Sequence, residues 1–533
     1  MKIFKKTIAY MAAAALLLSG ASCSDFPDKA PENTVPEESI DYTNLSNMYQ
    51  PVSGVYGALR TGGMHWVGLP LYIVRDDDVW SGRHDDQGDL INIGESFVYM
   101  NSFWGFNEMW NQNYKIVRVA NAALDDLANF RANCTNNDDL QKNSEYEGEV
   151  RFLRALAYYR LTQLFGDVTI LRSNTQTDLT RSVRDVVYEY MLTEDLLPAI
   201  ELLPKVHPRN AEHMGAATSY TAATLAAKVY LQMNDFTNVK KQTEYVINSG
   251  LFDLYPDFYN LFKTAGMLCE ESLFECQLTD NGIGAGEEIK AGEWYTFQGP
   301  VNSGVVSGWG FIGYRDQFQE WAANRGETVR ATTTFLKGGE TTPSGDFITG
   351  TTNVTATNCW NGKAYLPVSE TPAGRGYGSG NNVRILRYAD VLLMHAEACA
   401  NGAGTLDEAF EDFDKIRARA GFKEFLEDGK TKNPKYISKE YFKSDAERAV
   451  ELILDERRME LAGEWGERYM DLVRTGKAAT VLNETEVDEN PGDNYIVVKG
   501  WSEDKAYYPI PPTQIENAPA LANEPLTELT VQQ

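Results

Sequence analysis

Residues 216–250 constrain the fold more than any other stretch, because their pattern is that of a helical hairpin. In AATSYTAATLAAKVYLQMNDFTNVKKQTEYVINSG, a helix rich in small residues is followed by a turn at Asn234-Asp235 and a second helix. Tyr230 before the turn and Phe236 after it follow the tetratricopeptide pattern, whose period is about 34 residues. Such a unit cannot bury its apolar faces alone, so the pattern predicts a stack of helix pairs.

Other stretches carry the same kind of pattern. Residues 388–421 contain a second clear unit, with a glycine-bearing turn between two amphipathic halves. Looser copies occur at 107–165 and 183–233. The sequence therefore predicts an all-α, tetratricopeptide-type scaffold of about four helix pairs. We expect these repeats to occupy about 107–250 and 384–476.

Two long stretches, about 62–106 and 251–383, lack helical periodicity and are rich in Gly, Thr, Asn and Ser. A structureless segment of such length is unusual in a compact domain, so we expect a mixed excursion of short strands and ordered loops. Both stretches contain scattered tryptophans and tyrosines. We therefore expect this loop-rich region to pack on one face of the scaffold and to carry the ligand site.

The N-terminus has the features of an export signal. Residues 1–22 combine a lysine-bearing start with an apolar segment too short to span a membrane comfortably, and small residues then precede Cys23. Cys23 is the predicted lipidation site, although Gly20 stands where a lipobox usually has Leu. A conventional signal peptide with an incidental cysteine is the alternative. We interpret the acidic, proline-bearing residues 23–43 as a tether and 44–533 as one domain.

Charge and cysteine content exclude some classes of protein. The formal net charge is −27, which disfavours a nucleic-acid binder because such a protein needs a basic face. The five cysteines after Cys23 lack CxxC or CxxH spacing, so no disulfide framework or zinc site is predicted. We expect buried free thiols, with one bridge between Cys269 and Cys276 as the alternative.

The sequence contains no motif that defines a catalytic site. HExxH, GxSxG and a phosphate-binding glycine loop are all absent, and no cofactor is predicted. The acidic residues 76–78 and 85–86 lack EF-hand spacing, which leaves a calcium site open only as an alternative to a solvated face. His395 lies within an apolar helix face and is predicted to be a core histidine. A glycosidase-like carboxylate pair is defined by separation in space, so a hydrolase stays open.

What the loop-rich region does contain is a mixture suited to sugars, whose rings have an apolar C–H face and a polar rim. Flat aromatic side chains lie there beside Asp, Asn and Arg, and glycines adjoin several tryptophans, which favours exposed loops. The alternative is that individual aromatic residues belong to the core. The predicted ligand-binding residues are Asp77, Asp78, Trp80, Arg83, Asn101, Trp104, Trp294, Tyr295, Trp309 and Tyr314.

Several segments, in order along the chain, also resemble those of one family. They include WNQNYKIVRVANAAL at 110–124, EVRFLRALAYYRLTQLFGDV at 149–168, VRILRYADVLLMHAEACA at 383–400, LDERRMELAGEWGERYMDLVRTGKA at 454–478 and YYPIPPTQIENAPAL at 507–521. Together they resemble the SusD/RagB family of surface glycan-binding lipoproteins from Gram-negative nutrient-uptake systems. The resemblance implies a helical-repeat fold with a loop-rich ligand region.

This resemblance also implies a function. The protein would be anchored by lipid to the outer face of the outer membrane, where it would bind an oligosaccharide or polysaccharide without catalysis. It would then deliver this ligand to a TonB-dependent, SusC-like transporter. Two other classes stay open: a helical-repeat adaptor that binds protein alone, and a glycoside hydrolase or lyase.

Overall fold

The computed structural model describes residues 40–278, 293–301, 308–351, 357–371, 380–484 and 500–529. The predicted signal peptide, Cys23 and the tether up to residue 39 lie outside the described residues. Among the helices that are described, none has both the length and the apolar content needed to cross a membrane.

Helices dominate the described chain. The helices of the first half are α1 (Leu45–Ala58), α2 (Gly68–Ile73), α3 (Gly88–Ser96), α4 (Trp104–Asn133), α5 (Asn137–Phe165), α6 (Arg184–Tyr190), α7 (Leu197–Leu202), α8 (Ser219–Gln232) and α9 (Phe236–Ile247). Those of the second half are α10 (Glu293–Thr296), α11 (Asp316–Arg325), α12 (Val329–Thr334), α13 (Tyr388–Ala398), α14 (Leu406–Arg419), α15 (Lys439–Lys443), α16 (Ala446–Glu460), α17 (Glu467–Arg474), α18 (Ala478–Glu484) and α19 (Pro512–Asn517). Short π-helical turns occur at Leu59–Gly63, Met191–Leu196 and Cys399–Ala403.

The predicted helical scaffold is confirmed. Helix α4 packs against α5, α8 against α9 and α13 against α14, and α9 also contacts α13. The Thr218 hydroxyl caps α8 by accepting a hydrogen bond from the Thr221 amide, and the Asp235 carboxylate caps α9. Asn234 adopts a φ of 55° between these two helices, which ends the first helix and reverses the chain. The hairpin at 216–250 is therefore encoded locally.

Short strands form two small antiparallel sheets. The strands are β1 (Val79–Trp80), β2 (Ser272–Cys276), β3 (Gly313–Tyr314), β4 (Phe335–Lys337), β5 (Cys359–Asn361) and β6 (Val383–Arg387). The four-stranded sheet has the order β1-β3-β5-β4, and β2 pairs with β6. Both predicted loop-rich stretches contribute to the first sheet, because Val79 pairs with Tyr314. The excursion also holds helices α10–α12, which the absence of periodicity did not indicate.

A large apolar core unites the scaffold and the loop-rich region. Its buried residues run from Met48 in α1 to Leu521, close to the C-terminal end of the described chain. The described cysteines are free thiols, so the alternative bridge between Cys269 and Cys276 is wrong. His395 is buried in α13, as predicted for a core histidine.

Candidate functional site

Three tryptophans from distant parts of the sequence meet at the surface of the loop-rich region. The ring centroid of Trp66 lies 5.6 Å from that of Trp104 and 5.7 Å from that of Trp309, the latter pair being nearly perpendicular. Beneath them, Phe311 stacks on Trp66 at 5.1 Å, and Phe297 lies 6.0 Å from it. We call these five residues the aromatic patch.

The aromatic patch combines a buried base with an accessible face. Phe297 and Phe311 are buried, whereas Trp66 and Trp309 are half-buried. The side chain of Trp104 is 42% exposed, an unusual degree for a tryptophan packed against other aromatic rings. A rigid apolar surface that stays open to solvent can accept the C–H face of a sugar ring.

Backbone hydrogen bonds within the loop-rich stretch 251–383 position Phe297, Trp309 and Phe311. The amide of Trp309 donates to the Thr296 carbonyl at 2.9 Å, and that of Phe311 donates to the Phe297 carbonyl at 2.9 Å. Gly308 is required for this approach, because a Cβ there would lie 2.4 Å from the Thr296 oxygen. These hydrogen bonds fix the Trp309 ring relative to the short helix α10.

A second close approach joins the early stretch to the excursion. Gly82 has a φ of 74°, and a Cβ at that position would lie 2.1 Å from the Gly310 carbonyl oxygen. The turn after β1 can therefore pack directly on the segment that carries Trp309. Trp104 is the first residue of α4, so the longest scaffold helix holds it in place.

Polar side chains border the patch. Both the Nε and Nη2 atoms of Arg83 donate to Asp85 at 2.8 Å, and its Nη1 donates to the Trp309 carbonyl at 3.3 Å. The indole Nε1 of Trp104 donates to the side-chain oxygen of Gln87 at 3.3 Å. These contacts leave a rim of carboxylate, guanidinium and amide groups beside aromatic faces, which suits a polyhydroxylated ligand.

Of the ten predicted ligand-binding residues, the structure brings Arg83, Trp104 and Trp309 together in or beside the patch. Trp80 is half-buried and packs edge-on against His84, with ring centroids 4.5 Å apart. Asn101 is exposed in the turn that precedes α4. These last two residues lie on the same stretch of chain as the rim.

The prediction for Asp77 and Asp78 is corrected, because both carboxylates are buried in ion pairs. Asp77 lies 2.8 Å from Arg468 and 3.0 Å from Arg458, and Arg458 also donates to Asp78 at 2.9 Å. Burial disfavours the charged form of Asp77, but the two guanidinium groups outweigh it and lower the pKa to about 2. These aspartates hold the loop onto the C-terminal helices, and their carboxylates are occupied by those ion pairs.

Three of the predicted aromatic residues also belong to the core. Tyr314 is 1% exposed, Tyr295 donates its hydroxyl to the Asn382 carbonyl at 2.7 Å, and Trp294 stacks on Trp465 at 4.8 Å. The cavity that Trp294, Tyr295 and Trp465 help to line has a volume of only about 40 Å³, so these side chains pack with little open space between them.

The list of predicted ligand-binding residues did not include Trp66, Phe297, Phe311, Asp85 or Gln87, which form or border the patch. Trp66 lies three positions after Gly63 and two before Gly68, so nearby glycines are a signal of the kind that pointed to Trp309. For the two phenylalanines no local signal existed, since their role depends on which tryptophan they support. No cluster of His, Cys, Asp or Glu suited to a metal occurs in the described parts of the chain.

Comparison with known proteins assigns the family. The SusD family profile matches residues 295–526, and a profile described as "Starch-binding associating with outer membrane" matches residues 92–231. A SusD-like protein P2 of Formosa agariphila is 26% identical over 96% of this chain and 98% of its own length. The chain belongs to the SusD family.

Solved structures agree with this assignment. Surface glycan-binding protein A from Bacteroides thetaiotaomicron, in complex with laminarihexaose, has a TM-score of 0.70 and 25% identity. The match covers 89% of this chain and 98% of that one. A SusD homologue from the same organism has a TM-score of 0.73 at 20% identity, covering 91% and 97% of the two chains, which supports the fold alone.

Proposed function

We propose that this protein binds an oligosaccharide or polysaccharide on the aromatic patch. The observation that carries the proposal is the convergence of Trp66, Trp104 and Trp309 into one accessible surface with a polar rim. Three rings set at different angles can contact successive sugar units of a curved or flexible chain. The laminarihexaose complex of the similar Bacteroides protein supports the proposal of glycan binding.

The charge beside the patch favours an uncharged glycan. Arg83 is neutralised by its two hydrogen bonds to Asp85, and the exposed Asp86 adds a negative charge nearby. A sulfated or uronate-rich polymer would meet repulsion at this rim. A neutral glycan needs the ring faces and the hydrogen-bonding groups but no excess of positive charge.

We infer a wider role, which membership of the SusD family supports. Cys23 carries the lipid anchor, and the protein lies on the outer face of the outer membrane. The helical repeats provide a rigid surface for a TonB-dependent, SusC-like transporter, to which the captured glycan passes. The protein itself does no chemistry on the glycan. An adaptor without a sugar ligand and a glycoside hydrolase are the competing classes.

Native affinity electrophoresis of the protein lacking residues 1–23 tests this function. Gels containing neutral and acidic polysaccharides are compared, and reducing ends are assayed afterwards. We expect retardation by a neutral polysaccharide without new reducing ends. Retardation with new ends would identify a hydrolase, and the absence of retardation by every polysaccharide would favour an adaptor.

Variants locate the binding surface in the same gels. Trp104→Ala should lose most of the retardation, because stacking on an aromatic ring contributes on the order of 1 kcal/mol or more. Tyr441→Ala is the matched control, since Tyr441 is 53% exposed and lies outside the patch. Equal loss in both variants, or in neither, would contradict the assignment of the patch.

A further inference from the structure

A sizeable cavity lies away from the aromatic patch. It has a volume of about 320 Å³ and is lined by α1, the 213–216 loop and β2. Its walls include Tyr49, Tyr56, Arg60, His213, Phe274 and Gln277. No member of the aromatic patch lines it, so the glycan site proposed above leaves this cavity unexplained.

The tyrosine walls of this cavity are held in place. The Tyr56 hydroxyl donates to Glu149 at 2.7 Å and accepts from the Ala217 amide at 2.9 Å. These two hydrogen bonds hold Tyr56 in place as part of the cavity wall. The ring of Tyr49 stacks on His213 with centroids 3.5 Å apart. A ligand would therefore meet preformed aromatic surfaces and would lose little affinity to their ordering.

The loop that borders the cavity is fixed as well. The side-chain amide of Gln277 donates to the Met214 carbonyl at 2.7 Å. Gly215 has a φ of 85°, and a Cβ there would lie 1.9 Å from the Gln277 nitrogen. The hydrogen bond ties the 213–216 loop to the residue that follows β2.

Arg60 gives the cavity its charge. The residue is exposed, and no described carboxylate lies within ion-pair distance of its guanidinium group. Glu275 also lines the cavity, but its carboxylate accepts from the Leu268 amide at 3.0 Å and from Asn382 at 2.8 Å. Burial raises the pKa of the Cys276 thiol to about 12, so this side chain stays neutral and does not balance Arg60.

A second polar group lacks a partner at the same place. The Nε2 atom of His213 is buried and has no hydrogen-bond partner among the described residues. An arginine that has no carboxylate partner among the described residues and lies beside aromatic rings is suited to a planar carboxylate, which it can bind through two parallel hydrogen bonds. The volume of about 320 Å³ lies at the lower end of the range for small-molecule sites, which suits one or two sugar units.

We propose that this cavity is a second ligand site, which binds a mono- or disaccharide bearing a carboxylate, that is, a uronic acid. Arg60 binds the carboxylate, the rings of Tyr49 and Tyr56 contact the sugar face, and Ser53 and Gln277 border its hydroxyl groups. This ligand class differs in charge from the one that suits the aromatic patch. The aromatic patch would then bind a neutral glycan chain, and the cavity a small acidic sugar.

Calorimetric titration with two matched probes tests this proposal. Para-nitrophenyl β-D-glucuronide and para-nitrophenyl β-D-glucoside differ by the carboxylate alone. The unmodified protein should bind the glucuronide about tenfold more tightly, the ratio expected for a charge-assisted hydrogen-bonded pair. Arg60→Gln should abolish this preference. Arg118→Gln removes an exposed arginine outside the cavity and should retain it.

The outcomes separate this site from the aromatic patch. Trp104→Ala should keep the full glucuronide preference even where polysaccharide retardation is lost. Equal affinity for both probes, no measurable binding of the glucuronide, or an unchanged preference in Arg60→Gln would each overturn the proposal. Loss of the preference in Trp104→Ala would place the glucuronide on the patch and would also overturn it.

Discussion

At the scale of single residues, identical side chains have opposite roles according to their partners in space. Asp77 and Asp85 lie eight positions apart in one acidic stretch, yet Asp77 is buried against Arg458 and Arg468 while Asp85 lies at the exposed rim. The partners of Asp77 lie hundreds of positions away, so no local pattern distinguishes the two carboxylates. The composition of the stretch was informative, but the individual assignments were not.

The same limit applies to the aromatic residues. Trp309 and Trp294 both adjoin glycine-rich sequence, but Trp309 reaches the surface whereas Trp294 stacks on Trp465 in the core. A tryptophan next to glycine indicates that two backbone segments approach closely, but it does not indicate whether the tryptophan ring points to the core or to the surface. The sequence indicated the region of the candidate site and the residues Trp104 and Trp309, whereas the coordinates were needed to add Trp66.

His395 provides a prediction about pH. Burial opposes the charged form of His395, but its hydrogen bond with Asp412, 2.5 Å from Nδ1, raises the pKa to about 10. Because this pKa exceeds the ordinary value of 6.5, the pair stabilises the fold fully below pH 6.5 and loses that contribution as the pH rises through 10. His395→Gln should lower the free energy of unfolding by roughly 1.5–3 kcal/mol at pH 6.

Urea denaturation of both proteins from pH 6 to pH 10.5 checks this prediction. The difference between wild type and His395→Gln should shrink toward the alkaline end of the series. Substituting the partner, Asp412→Asn, should reproduce the same convergence. Parallel stability curves across the series would show that the histidine does not titrate as its surroundings imply.

At the scale of elements, helix α16 shows how a polar face can be buried. Its residues Glu456, Arg457 and Glu460 have side chains with essentially no exposure, although their spacing is typical of pairing along a helix surface. Glu456 pairs with Arg330 at 2.6 Å, and Arg457 pairs with Asp390 at 2.8 Å. The helical spacing identified the charged residues, but their partners come from other elements, among them α12, α13 and α14.

Breaking this network from one side should be strongly destabilising. Arg457→Met would remove the guanidinium group that Asp390, Asp471 and Glu467 share. Lys228 would then be the remaining cation for Asp390 and Glu467, and Arg474 for Asp471, so the buried carboxylates would outnumber the cations. Removing one partner of a buried pair costs about 3–5 kcal/mol, because the remaining charge is uncompensated. We expect a fall of that order in the free energy of unfolding, measured with guanidinium chloride.

A surface pair serves as the control for Arg457→Met. Lys439 forms an ion pair with Asp407 at 2.8 Å, but its side chain is 39% exposed. Lys439→Met should therefore change the free energy of unfolding by less than about 1 kcal/mol. If the two variants lost equal stability, the buried network would have no special role in the fold.

At the scale of the whole molecule, the helical scaffold could be predicted from the sequence, whereas the way in which the site is assembled could not. Helical periodicity in 107–165 and 216–250 reflects local burial, so the repeats could be read from the sequence. The site requires β1 to pair with β3 and Gly82 to meet Gly310, contacts between segments more than 200 positions apart. Two-residue strands such as these leave no periodic signal.

The buried carboxylates make the whole fold sensitive to acid. Burial disfavours the charge on Glu460, but Arg419 and Arg387 outweigh it and lower the pKa to about 2, as Arg458 and Arg468 do for Asp77. Their contributions are present above the ordinary carboxylate values and are lost as the pH falls through about 2. Thermal unfolding should shift to lower temperature between pH 4.5 and pH 2, and Glu460→Gln should flatten this dependence. A transition temperature that is constant over that range would contradict the ion-pair network.

Calorimetric titration of the retarding polysaccharide against the patch variants tests the central claim most directly. The unmodified protein, Trp104→Ala, Trp309→Ala and the control Tyr441→Ala are compared at equal concentration. We predict at least about tenfold weaker binding in both tryptophan variants, since each loses one stacking surface, and unchanged binding in Tyr441→Ala. Unchanged affinity in Trp104→Ala and Trp309→Ala, with both proteins folded, would show that the glycan binds elsewhere.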